Sequence, residues 1–456
     1  MERPIEAADP PDRATAAQGK ADGRGPAPIR SLARVVRILG PGLTTGAADD
    51  DPSAIATYAQ AGALYSHAAL WTIPITLPLM MAVQEISDRT ALTTGDSLGR
   101  LIRRRFPWGV QIIVGVMLAG MLIANVLNIG ADLMAIGQGM ELLGAGPDHL
   151  WSALAGIGIM VMLITSSSKT ISQIFKWLCL TLLAYIAVMF VTRVDWSSVA
   201  AGLTGQQFRF DQNYLGIIVA IFGTSISPYL FFWQSADRVE ELRAEDTPGR
   251  TTMPLKERGR AGAKGKLRSS RIDVFTGMGF SQLIVFCIVV ATGATLGQHG
   301  SQIKSAADAA KALEPIAGSA STLLFAAGFI GSGVLAIPVL AGSASMGFAA
   351  LLDRNWGFDR NPRKAPAFYT LVVVGTIAGV LLSLFYPDPF SLLVFVAVVN
   401  GIAAAPFVIV LMLISGNRTI MGQHRNGKLA TTLGWIAAAV MAAAGTIGVW
   451  QIFHDT

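Results

Sequence analysis

Three consecutive carboxylates, Asp49, Asp50 and Asp51, stand in the middle of an otherwise apolar stretch and are followed at once by Pro52. Proline has no backbone N–H and disfavours regular helix at the residue before it, and Gly46 upstream permits further irregularity. A carboxylate beside unwound backbone offers hard oxygen ligands, which suit a cation better than an anionic or apolar solute. A second stretch, Ile221-Phe-Gly-Thr-Ser-Ile-Ser-Pro-Tyr-Leu-Phe-Phe-Trp-Gln, repeats the theme, with Gly223 and Pro228 bracketing three hydroxyl residues. Its plain structural alternative is a proline kink whose freed backbone groups are satisfied by those hydroxyls. A broken helix cannot aim three successive carboxylates at one ion. Asp49 and Asp50 therefore read either as charges that concentrate cations near the site, or as groups that hold a proton or pair with a neighbouring donor.

The elements that must carry these residues are membrane helices. The 456 residues are 52% hydrophobic and only 14% charged, well below the ~25% of soluble domains. Cys179 and Cys287 lie in separate apolar runs and form no zinc, haem or disulfide spacing. Eleven apolar runs are close to the length needed to cross a bilayer: 39–65, 68–86, 109–141, 150–166, 172–194, 214–236, 274–298, 319–351, 366–386, 389–415 and 430–452. Long continuous runs imply helices and not a barrel. Residues 1–37 read as a disordered cytoplasmic tail, 38–452 as one transmembrane domain, and 237–272 as a basic cytoplasmic loop. With the N-terminus in the cytoplasm and the C-terminus outside, the inner segments hold 30 of the 35 Lys and Arg residues. That asymmetry is the topology signal of a cell-membrane protein and not the footprint of a nucleic-acid binder. The two interrupted spans open the first and second sets of five, the arrangement that points to a midplane site in inverted-repeat transporters.

The motifs Pro41-Gly-Leu, Asp51-Pro-Ser-Ala and Gln60-Ala-Gly, together with Gly223-Thr-Ser-Ile-Ser-Pro-Tyr, resemble the first- and sixth-helix motifs of the Nramp divalent-metal transporters. Gln84-Glu85, Thr94-Gly95-Asp96, Ala131-Asp132-Leu133 and Asn400-Gly401-Ile402 are weaker matches, and the resemblance spans about residues 38–425. It implies an all-α membrane protein with a LeuT-like inverted repeat, spans 1–5 and 6–10, with spans 1 and 6 broken and an eleventh helix appended. It also implies a metal site. Asp51 matches the motif's Asp, and Ala48 and Thr224 match its carbonyl donors. Ala54 stands where Asn is usual, Ser227 where Met is usual, Tyr229 where His is usual, and Gln234 where a second His is common. Asp132 and Glu85 are the acids that the resemblance leaves for a proton or a gate, while Ala135 replaces a second acid.

Those departures carry chemistry. A thioether favours transition metals over Mg2+ or Ca2+, and its loss removes that filter. Small Ala and Ser widen the site for an ion that keeps several waters, which is Mg2+ behaviour. The replacements are similar to those of the Nramp-related magnesium transporters. The expectation is Mg2+ and Mn2+ uptake by alternating access without proton coupling, with no cofactor beyond the transported ion. Asp132 is then either a lone proton carrier or a buried acid paired with Asn128, one turn away. The alternatives are a proton-coupled Mn2+/Fe2+ symporter and a cation-coupled transporter of amino acids or other organic solutes. An enzyme is not expected, since no HExxH, GxSxG or His/Cys cluster occurs. The expected partners are the metal ion and membrane lipid, with no nucleic acid, and the chain a monomer or weak homodimer.

Overall fold

The computed structural model describes residues 41–166, 168–245, 252–297, 303, 320–386 and 388–454. The expected tail, 1–37, lies outside them. The described secondary structure is helical throughout. The first broken pair is α1 (Pro41–Asp49) and α2 (Pro52–Tyr65), followed by α3 (Thr72–Thr94), α4 (Leu98–Arg105), α5 (Trp108–Leu142) and α6 (Asp148–Thr165). Then come α7 (Ser168–Leu178), α8 (Leu183–Val191) and α9 (Trp196–Leu203), and the second broken pair α10 (Gln212–Ser225) and α11 (Pro228–Ala244). The remainder is α12 (Arg260–Thr295), α13 (Ala320–Leu351), α14 (Pro366–Phe385), α15 (Pro389–Gly416), α16 (Arg418–Met421) and α17 (Lys428–His454).

Among the described residues, nine segments are long and apolar enough to span a membrane, with α7 and α8 counted as one and α10 and α11 as another. The burial pattern is that of a protein in lipid. Ile113, Val116 and Ile123 on α5 and Phe385 on α14 are exposed, whereas Asp51, Asp132 and Arg238 are buried. Ionisable groups in such a setting face the bundle interior, where other groups can pair with them. The broken helices sit at the centre. α1 and α2 pack along α12, α10 packs on α15, and α5 packs against α13 and α14.

Three boundaries differ from expectation, each for a physical reason. The second span was expected over 68–86, but α3 starts at Thr72 and runs on to Thr94, through Glu85, Asp88 and Arg89. Those charges resemble a loop in sequence but are buried and paired in the fold. The fifth span is not one regular helix, because between α7 and α8 the chain tightens into i→i+3 bonds such as Thr181 N to Leu178 O at 3.0 Å. The Thr181 hydroxyl also donates to Leu178 O, at 2.7 Å, taking up an acceptor that a regular helix would use. The expected loop 237–272 is helical at both ends, since α11 continues to Ala244 and α12 begins at Arg260.

The basic segments gather at one end of the bundle. Arg89 on α3 donates to His424 O, and Lys256 donates to Ile420 O. Phe358 N, in the α13–α14 connection, donates to Glu240 on α11 at 2.8 Å. The connections α3–α5, α11–α12, α13–α14 and α15–α17 thus share one side, as the charge distribution requires.

Candidate metal centre

The breaks follow from the sequence. Asp51 is extended (φ −67°, ψ 167°) and caps α2, and Pro52 takes the first helical position, where a missing N–H costs nothing. Asp51 Oδ1 accepts from Ala54 N at 2.8 Å and from the Ser53 hydroxyl at 2.6 Å. In the second break Ser227 is extended before Pro228, the first residue of α11. Its hydroxyl turns back and donates to Gly223 O at 2.6 Å and Thr224 O at 3.0 Å. Gly223 is glycine because α10 and α15 touch there: a Cβ would lie 2.0 Å from Ala397 O. Helix ends leave up to four carbonyls without helical partners, so the end of α1, which includes Ala48, presents carbonyl oxygen beside Asp51.

Asp51 joins the two breaks. Its Oδ2 accepts from the Tyr229 hydroxyl at 3.0 Å and from Asn128 Nδ2 at 3.2 Å. Tyr58 on α2 and Ser225 at the end of α10 hydrogen-bond at 2.5 Å. Asp51, Ala54, Thr224, Ser227 and Tyr229 are all buried. Ala54 and Ser227 put no long side chain into it. The Asn128 Oδ1 and Thr224 Oγ1 oxygens are buried with no hydrogen-bond partner among the described residues.

The expected pairing of Asp132 with Asn128 does not occur, because the Asn128 amide is turned to Asp51. Both Asp132 oxygens are buried without a hydrogen-bond partner among the described residues. Asp49 and Asp50 point to the other side of the break. The Ser281 hydroxyl on α12 lies 2.6 Å from Asp49 Oδ2 and 3.1 Å from Asp50 Oδ1, one donor shared between two acids.

Two expected site residues lie elsewhere. Gln234 accepts from the Thr45 hydroxyl at 2.5 Å and donates to Asp88 at 2.6 Å, two turns along α11 from Ser227. Glu85 is held by Arg89 at 3.0 Å and Arg271 at 2.8 Å, which makes it a helix-packing ion pair. Both belong to an ionic layer on the basic side that the sequence did not reveal. Arg238 bridges Asp88 at 2.6 Å and Asp273 at 2.9 Å. Asp273 in turn accepts Gly42 N at 2.8 Å and Leu43 N at 3.2 Å, capping α1 and fixing it to α12. Only opposite charges at hydrogen-bonding distance make such burial tolerable, and removing one partner strands the other. Asn128 is the centre residue that local pattern misses, since 77 positions separate it from Asp51.

Two broken helices that meet at one buried carboxylate are the pattern of inverted-repeat transporters. The profile described as "Natural resistance-associated macrophage protein-like" (Nramp) matches residues 42–451, and the chain belongs to that family of membrane transporters. The divalent metal cation transporter MntH of Deinococcus radiodurans is 26% identical over 461 residues, covering 98% of each chain. The crystal structure of the Eremococcus coleocola manganese transporter with an aromatic bis-isothiourea compound superposes with a TM-score of 0.74 at 15% identity, covering 95% of this chain and 90% of the other. The nucleobase-cation-symport-1 transporter MHP1 shares the architecture more loosely, with a TM-score of 0.53, 14% identity and 90% of each chain covered. One architecture thus serves different solutes, and the site decides which.

Proposed function

We propose that this chain carries divalent metal cations through the membrane at the Asp51 centre, with Mg2+ and Mn2+ as its ions and the electrochemical gradient as the driving force. The observation that carries this reading is the makeup of the centre: one carboxylate, leftover oxygens, and Ala54 and Ser227 where bulk or sulfur would select a bare, softer ion. Among the described residues no three acids, histidines or cysteines converge as a metal cage. An ion held by so few protein groups keeps part of its water shell, which Mg2+ sheds reluctantly.

In this reading Asp51 is the charged ligand, Ala48 and Thr224 supply carbonyls, and Asn128 Oδ1 supplies the amide oxygen that Ala54 lacks. An entering ion takes Asp51 Oδ2 from Tyr229, and the Ser227 hydroxyl releases Thr224 O. On the basic side the ion leaves by displacement of α1 from α12, which opens the Asp273 cap and the Arg238 bridge. In this reading that side is cytoplasmic and the C-terminus lies outside, a topology that the Lys/Arg excess supports.

A cation-coupled carrier of amino acids fits less well. A solute carboxylate seeks helix N-terminal amides, and here Asp51 already occupies the start of α2. The test is uptake into proteoliposomes holding a Mg2+-sensitive dye. The wild type is expected to admit Mg2+, and correctly inserted Asp51→Ala protein to fall to background. Wild-type-like uptake by Asp51→Ala would place the ion path elsewhere.

A further inference from the structure

At the membrane edge of the basic side, a cavity of about 630 Å3 lies between the first turns of α12 and the segment before α17. Arg260, Lys264 and Arg268 line it at i, i+4 and i+8 spacing, hence on one helix face, and no acidic side chain lines it. None of these three has a carboxylate partner among the described residues, whereas Arg258 and Arg271 at the same cavity pair with Glu245 and Glu85. Like charges at this spacing repel, so an unneutralised stripe opposes the helix that carries it unless an anion sits against it. His424 also lines the cavity, and its Nε2 has no hydrogen-bond partner among the described residues. Burial, with the neighbouring Arg89 and Lys256 cations, holds the His424 imidazole below its usual range. The cavity's charge comes from Arg and Lys.

The floor is apolar. Leu267 and Ile272 line it, and Phe275, 44% exposed, continues it onto the lipid-facing surface of α12. Along the helix, Arg271 and Arg268 stand roughly 6 and 10 Å above Phe275, the step from acyl chains to headgroup phosphates. A soluble phosphate needs the cations but not this greasy continuation into the bilayer.

We infer that the cavity is a binding site for an anionic phospholipid of the adjoining leaflet, its phosphate held by Arg260, Lys264 and Arg268 and an acyl chain laid over Leu267 and Phe275. The inference is independent of which ion the transporter carries.

Full-length protein in neutral detergent, titrated with chain-labelled phosphatidylglycerol, tests it. The wild type is expected to bind this lipid at least tenfold tighter than phosphatidylcholine. Arg260→Gln/Lys264→Gln/Arg268→Gln is expected to weaken it by about a hundredfold. The same number of charges removed at Arg354, Arg363 and Lys364, exposed on the same side, is expected to leave it unchanged. If the triple variant fails to fold, Arg268→Gln alone carries the test, with a loss of about fivefold. Undiminished binding by the variants overturns the site. Full displacement of the lipid by millimolar inorganic phosphate overturns the lipid as its occupant.

Discussion

Asp51 accepts four hydrogen bonds, two on each oxygen, from Ser53, Ala54, Asn128 and Tyr229. The two on Oδ1 are local and hold the carboxylate in place as a helix cap. The two on Oδ2 come from α5 and α11 and are the ones an ion can replace. In the proposed reading, the choice among ions falls to Ala54 and Ser227. Ala54→Asn with Ser227→Met is expected to raise Mn2+ or Cd2+ affinity about tenfold or more and to lower Mg2+ transport, because sulfur favours softer ions while added bulk obstructs a hydrated one. Competition uptake checks this, and unchanged Mg2+ transport with no gain for Cd2+ would remove both positions from the site. Asn128→Ala removes the amide oxygen that the proposed site uses without deleting charge, so it is expected to weaken metal binding about tenfold while the protein stays folded, as read by metal titration. Asp51, Ala54, Ser227 and Tyr229 were legible in sequence because the prolines 52 and 228 mark where backbone must open. Asn128 was not, since only the packing of α5 against the first break brings it there. That Gln234 pairs with Asp88, and Glu85 with Arg89 and Arg271, was not legible either, because a polar residue on a membrane helix looks alike in sequence whether it binds an ion or braces a neighbour.

At the scale of elements, the breaks in the first and sixth spans were readable, since each rests on a proline and the residue before it. The ends of α3 and α12 were not. Their charged turns look like loop until Arg89 meets Glu85, Arg271 meets Glu85 and Arg238 meets Asp88 and Asp273, pairs that exist only in the folded bundle. The contact of α1 with α12 is made by glycines. A Cβ on Gly277 would lie 1.9 Å from Gly42 O, and one on Gly46 would lie 2.2 Å from Gly277 O. Backbone cannot yield as a side-chain tip can, so Gly277→Ala is expected to cost about 1–3 kcal/mol and to slow transport by shifting α1. Gly265→Ala, on the same helix with no atom within 4 Å of the new Cβ, is the control and is expected to be neutral or slightly stabilising. Thermal unfolding in detergent compares the two, and equal melting temperatures would show that α1 does not rest on α12 this closely.

Across the whole molecule, the charge asymmetry and the central site bear on the energetics of transport. A divalent ion moving down a membrane potential gains about 4.6 kcal/mol per 100 mV, enough for strong accumulation without a second ion. Proton coupling needs an acid whose proton occupancy changes between the states that carry the metal. Asp132 stands without a hydrogen-bonding acid or histidine beside it among the described residues, and Ala135 and Tyr229 occupy two places where a relay group is usual in the family. Transport is therefore expected to follow voltage and not pH. The most direct measurement uses proteoliposomes holding both a Mg2+-sensitive and a pH-sensitive dye, with a potassium diffusion potential imposed. The account predicts Mg2+ entry that rises with inside-negative voltage while internal pH stays constant. Metal-dependent internal acidification that Asp132→Asn abolishes together with metal entry would contradict it and make this transporter a proton-coupled carrier.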